Sequence, residues 1–208
     1  MRATLAIMTV VLLPHIGICG ATFPDYFDPP PLDTADLWKN IQNVKAFGNK
    51  LMMIDAANKR VGSLDILTLP SGESAKKITL TATGVDLSSG GQSLRSVAFR
   101  VSNANALIVH AVLAASRDER TGADRVSYVL AKTGSENQVL KGEFTGAALT
   151  GTFILRIDNN DAELEYNSVK KPKLPITTGD DITECRVELQ ADGSLGGNPT
   201  IDSFDATR

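Results

Sequence analysis

The feature that most constrains this chain is a series of short apolar segments separated by turn-forming residues, which begins near residue 62. LDILTL ends at residues 70–72 (PSG), KKITLTATGV ends at residues 88–91 (SSGG), and SLRSVAFRVS alternates apolar with polar residues. Such segments are typical of strands joined by turns. They do not alternate regularly with helices, which disfavours a parallel α/β sheet. The sequence therefore predicts an antiparallel β-sandwich of the jelly-roll kind over residues 62–190.

The longest apolar run, ALIVHAVLAA at residues 106–115, contains His110. A run so rich in branched residues is typical of a central strand covered on both faces. His110 is therefore expected to be a core residue with satisfied nitrogens rather than a catalytic base.

The N-terminus predicts export. Arg2 precedes an apolar run at residues 5–13, and small residues follow near Cys19. This layout is typical of a signal peptide over residues 1–21, and the run is shorter than the ~20 residues of a membrane span. We expect a secreted, extracytoplasmic product without a membrane span. Loss of Cys19 leaves Cys185 without an internal disulfide partner, and burial is its expected state.

The flanks of the sandwich have simpler expectations. Residues 22–61 contain a proline-rich leader, followed by apolar residues spaced three to four apart that predict a short N-terminal helix over residues 34–46. Residues 191–208 are predicted to be a polar C-terminal tail. Net charge −3 and a pI near 5.4 disfavour nucleic acid as a partner.

A hairpin is predicted within residues 151–171, GTFILRIDNNDAELEYNSVKK. Phe153, Leu155 and Ile157 share one strand face, and the turn falls on residues 158–161 because Asn and Asp tolerate left-handed backbone geometry. The return strand alternates apolar residues with Asp161, Glu163 and Glu165.

This region resembles the GOLD (Golgi dynamics) domain, a β-sandwich of secretory-pathway cargo and lipid-transfer proteins. The resemblance lies in Gly151, the apolar residues 153–155, the turn Arg156-Ile157-Asp158-Asn159 and the later Lys170-Lys171, and it extends over about residues 62–172. It implies a GOLD-like sandwich with a binding role rather than a membrane adaptor.

Acidic residues of the hairpin are the first candidate site. Asp161, Glu163 and Glu165 fall on one strand face, where two carboxylates can serve as acid and nucleophile of a glycosidase. With Asp158 they can also gather a calcium ion, the one cofactor considered. A solvated face that discourages strand aggregation is the third interpretation, and the favoured one.

The second candidate is SRDERTGADR, where Arg117 and Arg120 can bind a carboxylate or phosphate through guanidinium forks. Neighbouring acids nearly cancel these charges, which favours a solvated hairpin tip.

The leading functional hypothesis is a non-enzymatic binding module that recognises a protein or lipid partner through loops or a sheet face. The alternative is a carbohydrate-active sandwich, either a sugar-binding module or a hydrolase that uses Glu163 and Glu165. Trp38 is the only tryptophan available to stack on a sugar ring.

Overall fold

The computed structural model describes residues 27, 38–54, 61–66, 76–88, 94–103, 106–132, 138–176, 182–191 and 198–207. These residues are mainly strand, and every strand pair among them is antiparallel. This part of the chain has no helix, so it holds none that can cross a bilayer. The expected signal peptide lies outside the described residues.

The first eight strands are β1 (Trp38–Gln42), β2 (Val44–Ala46), β3 (Leu51–Met53), β4 (Val61–Ile66), β5 (Lys77–Asp86), β6 (Arg95–Ser102), β7 (Leu107–Arg117) and β8 (Asp124–Lys132). The remaining strands are β9 (Val139–Glu143), β10 (Thr150–Asp158), β11 (Asp161–Tyr166), β12 (Val169–Lys170), β13 (Leu174–Pro175), β14 (Glu184–Ala191), β15 (Thr200–Ile201) and β16 (Ser203–Thr207).

Two sheets form from these strands. The seven-stranded sheet has the order β1-β4-β14-β6-β7-β8-β9. The nine-stranded sheet has the order β12-β11-β10-β5-β15-β3-β2, with β13 beside β11 and β16 beside β5. β6 to β9 are consecutive hairpin neighbours, whereas β14 returns from far along the chain to lie between β4 and β6.

The core lies between the two sheets. Phe99 of β6 stacks on Phe153 of β10, with ring centroids 4.7 Å apart and planes 7° apart, and Phe204 of β16 meets Phe99 edge-on. Aromatic residues of both sheets thus meet at the centre, which confirms the predicted burial of Phe153. Cys185 is buried as expected.

The predicted hairpin is confirmed. Asp158 pairs with Asp161 at the end of the β10–β11 ladder, and Asn159 has a φ of 51°. Leu155 and Ile157 are buried, and the carboxylates of β11 point away from the core.

Lys171, the second lysine of the resemblance, joins the edges of the two sheets. Its Nζ lies 4.2 Å from the Phe144 ring centroid and 5.1 Å from that of Tyr128, and it donates a hydrogen bond of 2.8 Å to the Glu143 carbonyl. A cation over an aromatic face is attracted by the ring quadrupole.

The helix expected over residues 34–46 was wrong where the structure describes it. Residues 38–42 and 44–46 form β1 and β2, and Asn43 between them has a φ of 54°. At this residue the chain passes from the seven-stranded sheet to the nine-stranded sheet, so that Ile41 and Val44 both contact the core between the sheets. Two offset strands thereby imitate a helical spacing.

The tail expected over residues 191–208 also differs from what the structure shows. β15 and β16 pair with β5, and they bury Ile201, Phe204 and Ala206. The alternation in SFDAT is short and interrupted by polar residues. Its partner is the edge of β5, whose backbone groups pair with β16.

Candidate functional site

The acidic residues of β11 form a network of ion pairs on the outer face of the nine-stranded sheet. Arg156 lies opposite Glu163, and its Nη1 is 2.6 Å from Glu165 Oε2 and 3.6 Å from Glu163 Oε1. Lys170 Nζ is 3.2 Å from Glu163 Oε1. The two glutamates therefore share one guanidinium, and cations already occupy their oxygens.

The other acids of this hairpin are paired as well. Lys173 Nζ lies 3.3 Å from Asp161 Oδ2, and Lys77 Nζ lies 2.9 Å from Asp158 Oδ1. No group of three or more acidic, histidine or cysteine side chains suited to a metal ion is found in the described parts of the chain. The arrangement is that of an ion-paired strand surface.

Arg117 and Arg120 lie elsewhere, at the β7–β8 turn of the seven-stranded sheet. Arg117 Nε donates to the Gly122 carbonyl at 2.8 Å, and the backbone N–H of Arg120 donates to Asp118 Oδ1 at 3.0 Å. Hydrogen bonds from Thr121 lower the pKa of Asp118. The structure does not bring these arginines together with the acidic hairpin, so the six candidate residues do not form one site.

A third group of polar residues, not anticipated from the sequence, lies in the middle of the seven-stranded sheet. Arg186 of β14 pairs with Arg100 of β6, and Arg100 pairs with His110 of β7. Glu188, two residues along β14, receives a hydrogen bond of 3.0 Å from Arg100 Nε and lies 3.9 Å from Arg186 Nη1. We call Arg100, His110, Arg186 and Glu188 the Glu188 cluster.

The Glu188 cluster points away from the core. On β6, Phe99 and Val101 face the core, so Arg100 between them faces outward, and the pairing carries this orientation across to His110 and Arg186. His110 is therefore not the core residue expected from its apolar flanks, because only one face of β7 packs against the other sheet.

The cluster is recessed. The side chain of Glu188 is 12% exposed, against 39% for Arg100 and 34% for Arg186. Ala98 and Ala114, which share this outer face, are buried. The carboxylate of Glu188 is therefore the least exposed charged group of the cluster, and the two guanidinium groups beside it are more exposed.

His110 lies in a partly desolvated position beside a cation. Burial lowers the pKa of its imidazole, the positive charge of Arg100 lowers it further, and Glu188 partly opposes both effects. Its Nε2 is buried and has no hydrogen-bond partner within the structure. Burial keeps this nitrogen out of contact with solvent, so His110 belongs to the cluster through its position opposite Arg100.

This lowered pKa predicts a loss of stability in mild acid. The unfolded imidazole takes up a proton near pH 6.5, before the folded one does, so the free energy of unfolding should fall as pH drops from about 6.5 towards the lower folded value. Urea unfolding at pH 7.5, 6.5 and 5.5 measures this, and His110→Gln should flatten the dependence in that range. An unchanged pH slope in His110→Gln would contradict it.

Comparison with solved structures finds the same fold in proteins of very different sequence. The endo-β-1,3-glucanase from Pyrococcus furiosus has a TM-score of 0.60 at 7% identity, covering 89% of this chain and 92% of that one. The laminarinase from Rhodothermus marinus has a TM-score of 0.59 at 10% identity, covering 89% and 96%. The Emp46p carbohydrate recognition domain, in its potassium-bound form, has a TM-score of 0.54 at 12% identity, covering 82% and 88%.

No protein-family model matches this chain, and no curated protein matches it either. Identities this low establish the β-sandwich fold alone.

Proposed function

We propose that this chain is a carbohydrate-binding β-sandwich whose ligand lies on the outer face of the seven-stranded sheet, at the Glu188 cluster. The observation that carries the proposal is a charged, hydrogen-bonding group recessed at the centre of a sheet face. The fold likeness to glucanases and to a carbohydrate recognition domain supports it. A sugar binder thus replaces the protein or lipid binder as the leading hypothesis, and the GOLD resemblance contributes only its sandwich.

The chemistry of the cluster suits sugar hydroxyls. Each hydroxyl group both donates and accepts, and a carboxylate beside guanidinium groups supplies both functions within a few ångströms. Arg100 and Glu188 hold each other in place, so a ligand finds these groups already oriented.

Binding without hydrolysis fits this face better than catalysis. The described carboxylates that point from it are Glu184 and Glu188 on β14 and Glu143 on β9. Glu184 and Glu188 both contact Arg186, whose Nη2 lies 3.8 Å from Glu184 Oε1 and whose Nη1 lies 3.9 Å from Glu188 Oε1, so a guanidinium lies between the two carboxylates where a glycosidase would hold the scissile bond. Glu143 lies four strands away from β14, about 19 Å.

The hairpin pair Glu163 and Glu165 is a weaker catalytic candidate than its spacing suggests. The two carboxylates contact the same Arg156 nitrogen. A general acid must deliver a proton from one of these oxygens to the substrate, and Arg156 and Lys170 already contact them.

The proposed location is extracytoplasmic, on the strength of residues 1–21. Glycans of cell surfaces and extracellular matrices occur in that compartment, so the proposed location is consistent with the proposed ligand class.

The test is a glycan array followed by titration calorimetry with the binding oligosaccharides. We expect saturable binding by the full chain, a loss of at least about tenfold in Glu188→Gln, and no release of reducing ends. A tenfold loss corresponds to about 1.4 kcal/mol, in the range of one charge-assisted hydrogen bond. Glu163→Gln, on the opposite sheet, is the matched control and should bind like the wild type.

Two results would overturn the proposal. One is the absence of saturable binding to any glycan on the array. The other is an equal loss of affinity in Glu188→Gln and Glu163→Gln, which would remove the site from this face.

A further inference from the structure

We infer that a pocket where β8 begins and β9 ends holds one uncharged sugar unit of the glycan, at a distance from the Glu188 cluster. The inference rests on the proposed function and adds a second contact to the same ligand.

The pocket has the size of a small ligand. Residues 124–126 and 143–147 line it, and in its turn the Ala147 N–H donates to the Phe144 carbonyl at 3.1 Å. Its volume of about 320 Å³ lies at the lower end of the roughly 300–1,000 Å³ of small-molecule sites. This size suits one sugar unit rather than several.

The charged groups of the pocket are paired with one another or with their neighbours. Arg125 Nη2 lies 2.6 Å from Asp118 Oδ2, and Arg125 Nη1 lies 3.7 Å from Glu143 Oε1. Asp124 Oδ1 lies 3.6 Å from Arg95 Nη2. An ionic ligand would have to displace these partners and give up its own hydration. An uncharged ligand leaves the ion pairs intact.

Ion-paired groups still bind hydroxyl groups. A guanidinium has several N–H donors and a carboxylate has several lone pairs, so one ion pair uses only part of them. The side chains of Arg125 and Glu143 are 49% and 52% exposed, which leaves both within reach of a ligand. Hydrogen bonds between an ionised group and a neutral hydroxyl are stronger than those between two neutral groups.

The guanidinium of Arg125 is oriented before a ligand binds. Its partner Asp118 accepts hydrogen bonds of 3.0 and 2.8 Å from the backbone N–H groups of Arg120 and Thr121. The β7–β8 turn thus fixes the carboxylate that holds the guanidinium. A ligand that meets a donor already in place loses less entropy on binding.

Apolar groups complete the pocket. Val126 and Phe144 line it and are otherwise buried in the core, so they offer carbon surface to the C–H groups of a sugar ring. Thr145 and Gly146 are exposed, and a Cβ added to Gly146 would meet no atom within 4 Å. The turn therefore leaves room for a ring beside its backbone.

The pocket and the Glu188 cluster lie on one face of the seven-stranded sheet. Val126 is buried, so its neighbour Arg125 points outward, as Glu143 does. The register places Glu188 in the same row as Val129 of β8, three strands away, and Arg125 is four residues from Val129. These steps amount to about 20 Å. A glycan of several units spans this distance, and two linked contacts bind more tightly than either alone.

NMR titration of the ¹⁵N-labelled full chain tests the inference, because backbone amides report the two places separately. The probes are neutral hexasaccharides of β-1,3-glucan, β-1,4-glucan and mannan, the disaccharide of each, and inorganic sulfate. We expect at least one hexasaccharide to shift the amides of residues 145–147 together with those of Arg100 and Glu188. It should bind at least tenfold more tightly than its disaccharide, which cannot span both places.

Two variants assign the second contact. Arg125→Gln should lose at least fivefold in affinity for that hexasaccharide and lose the shifts at residues 145–147, while those at Arg100 and Glu188 remain. Lys77→Gln, which removes an exposed lysine on the opposite sheet, should bind as the wild type does. Circular dichroism of both variants confirms that they fold.

Each contrary outcome has a distinct meaning. Shifts confined to the Glu188 cluster overturn this inference and leave the proposed function standing. Failure of every hexasaccharide at residues 145–147 and of every glycan on the array overturns both. Inorganic sulfate that shifts residues 145–147 as tightly as the hexasaccharide overturns the uncharged ligand class. Equal losses in Arg125→Gln and Lys77→Gln overturn the assignment to Arg125.

Discussion

Phe99→Ala is expected to lower the free energy of unfolding by about 3–5 kcal/mol, the usual effect of removing a buried aromatic ring. Phe99 contacts Phe153 and Phe204, so the cavity opens where the two sheets meet. The free energy of unfolding of such domains is only about 5–15 kcal/mol, so this variant should lose a large fraction of its stability. Urea unfolding followed by tryptophan fluorescence or circular dichroism measures the effect.

Val112→Ala is the control for that measurement. Val112 lies on β7 and faces away from the core, where it is only half-buried. Its removal should change stability by less than about 1 kcal/mol. Equal losses in the two variants would show that Phe99 does not lie in a close-packed core.

Gly84→Ala is expected to destabilise the protein by about 3 kcal/mol. Gly84 has a φ of 61°, and β5 carries one extra residue here because Val85 pairs with Gly151 while Ala82 pairs with Phe153. A Cβ at this position overlaps the carboxylate of Asp202. The left-handed backbone accounts for roughly 1–2 kcal/mol, and the overlap adds a similar amount. Urea unfolding of the variant beside the wild type measures the loss.

Gly146→Ala separates these two contributions. Gly146 has a φ of 70°, but a methyl group added to its Cα would meet no other atom within 4 Å, so only the backbone contribution applies. Asp202 also forms an ion pair of 2.7 Å with Lys50, which displacement of its side chain would disturb. A Gly84→Ala loss no larger than that of Gly146→Ala would show that Asp202 moves aside freely.

Local patterns in the sequence predicted most of the strands. Alternation in FILRI placed Phe153 and Ile157 in the core, and the Asn and Asp residues placed the β10–β11 turn. In both cases the information lies within a few neighbouring residues. The same applies to β6, where Phe99 and Val101 alternate with Arg100.

The sequence did not allow prediction of pairing between distant strands or of irregular backbone conformations. At Asn43, a left-handed residue, the chain passes from the seven-stranded sheet to the nine-stranded sheet, and no local pattern distinguishes this break from a helical spacing. The Glu188 cluster joins β6 and β7 to β14, which lies more than 80 residues further along the chain than β6. Only the pairing of β14 with β6 places Arg186 and Glu188 beside Arg100.

The late position of β15 and β16 in the chain has a consequence for biosynthesis. β15 joins β5 to β3, so the early β2–β3 hairpin reaches its sheet only through a strand translated near residue 200. During translation one edge of β5 therefore has unpaired backbone N–H and C=O groups. Chaperones can bind this edge, and other strands can pair with it incorrectly. We expect this sheet to close after translation, and slowly, because its closing contacts span well over a hundred residues.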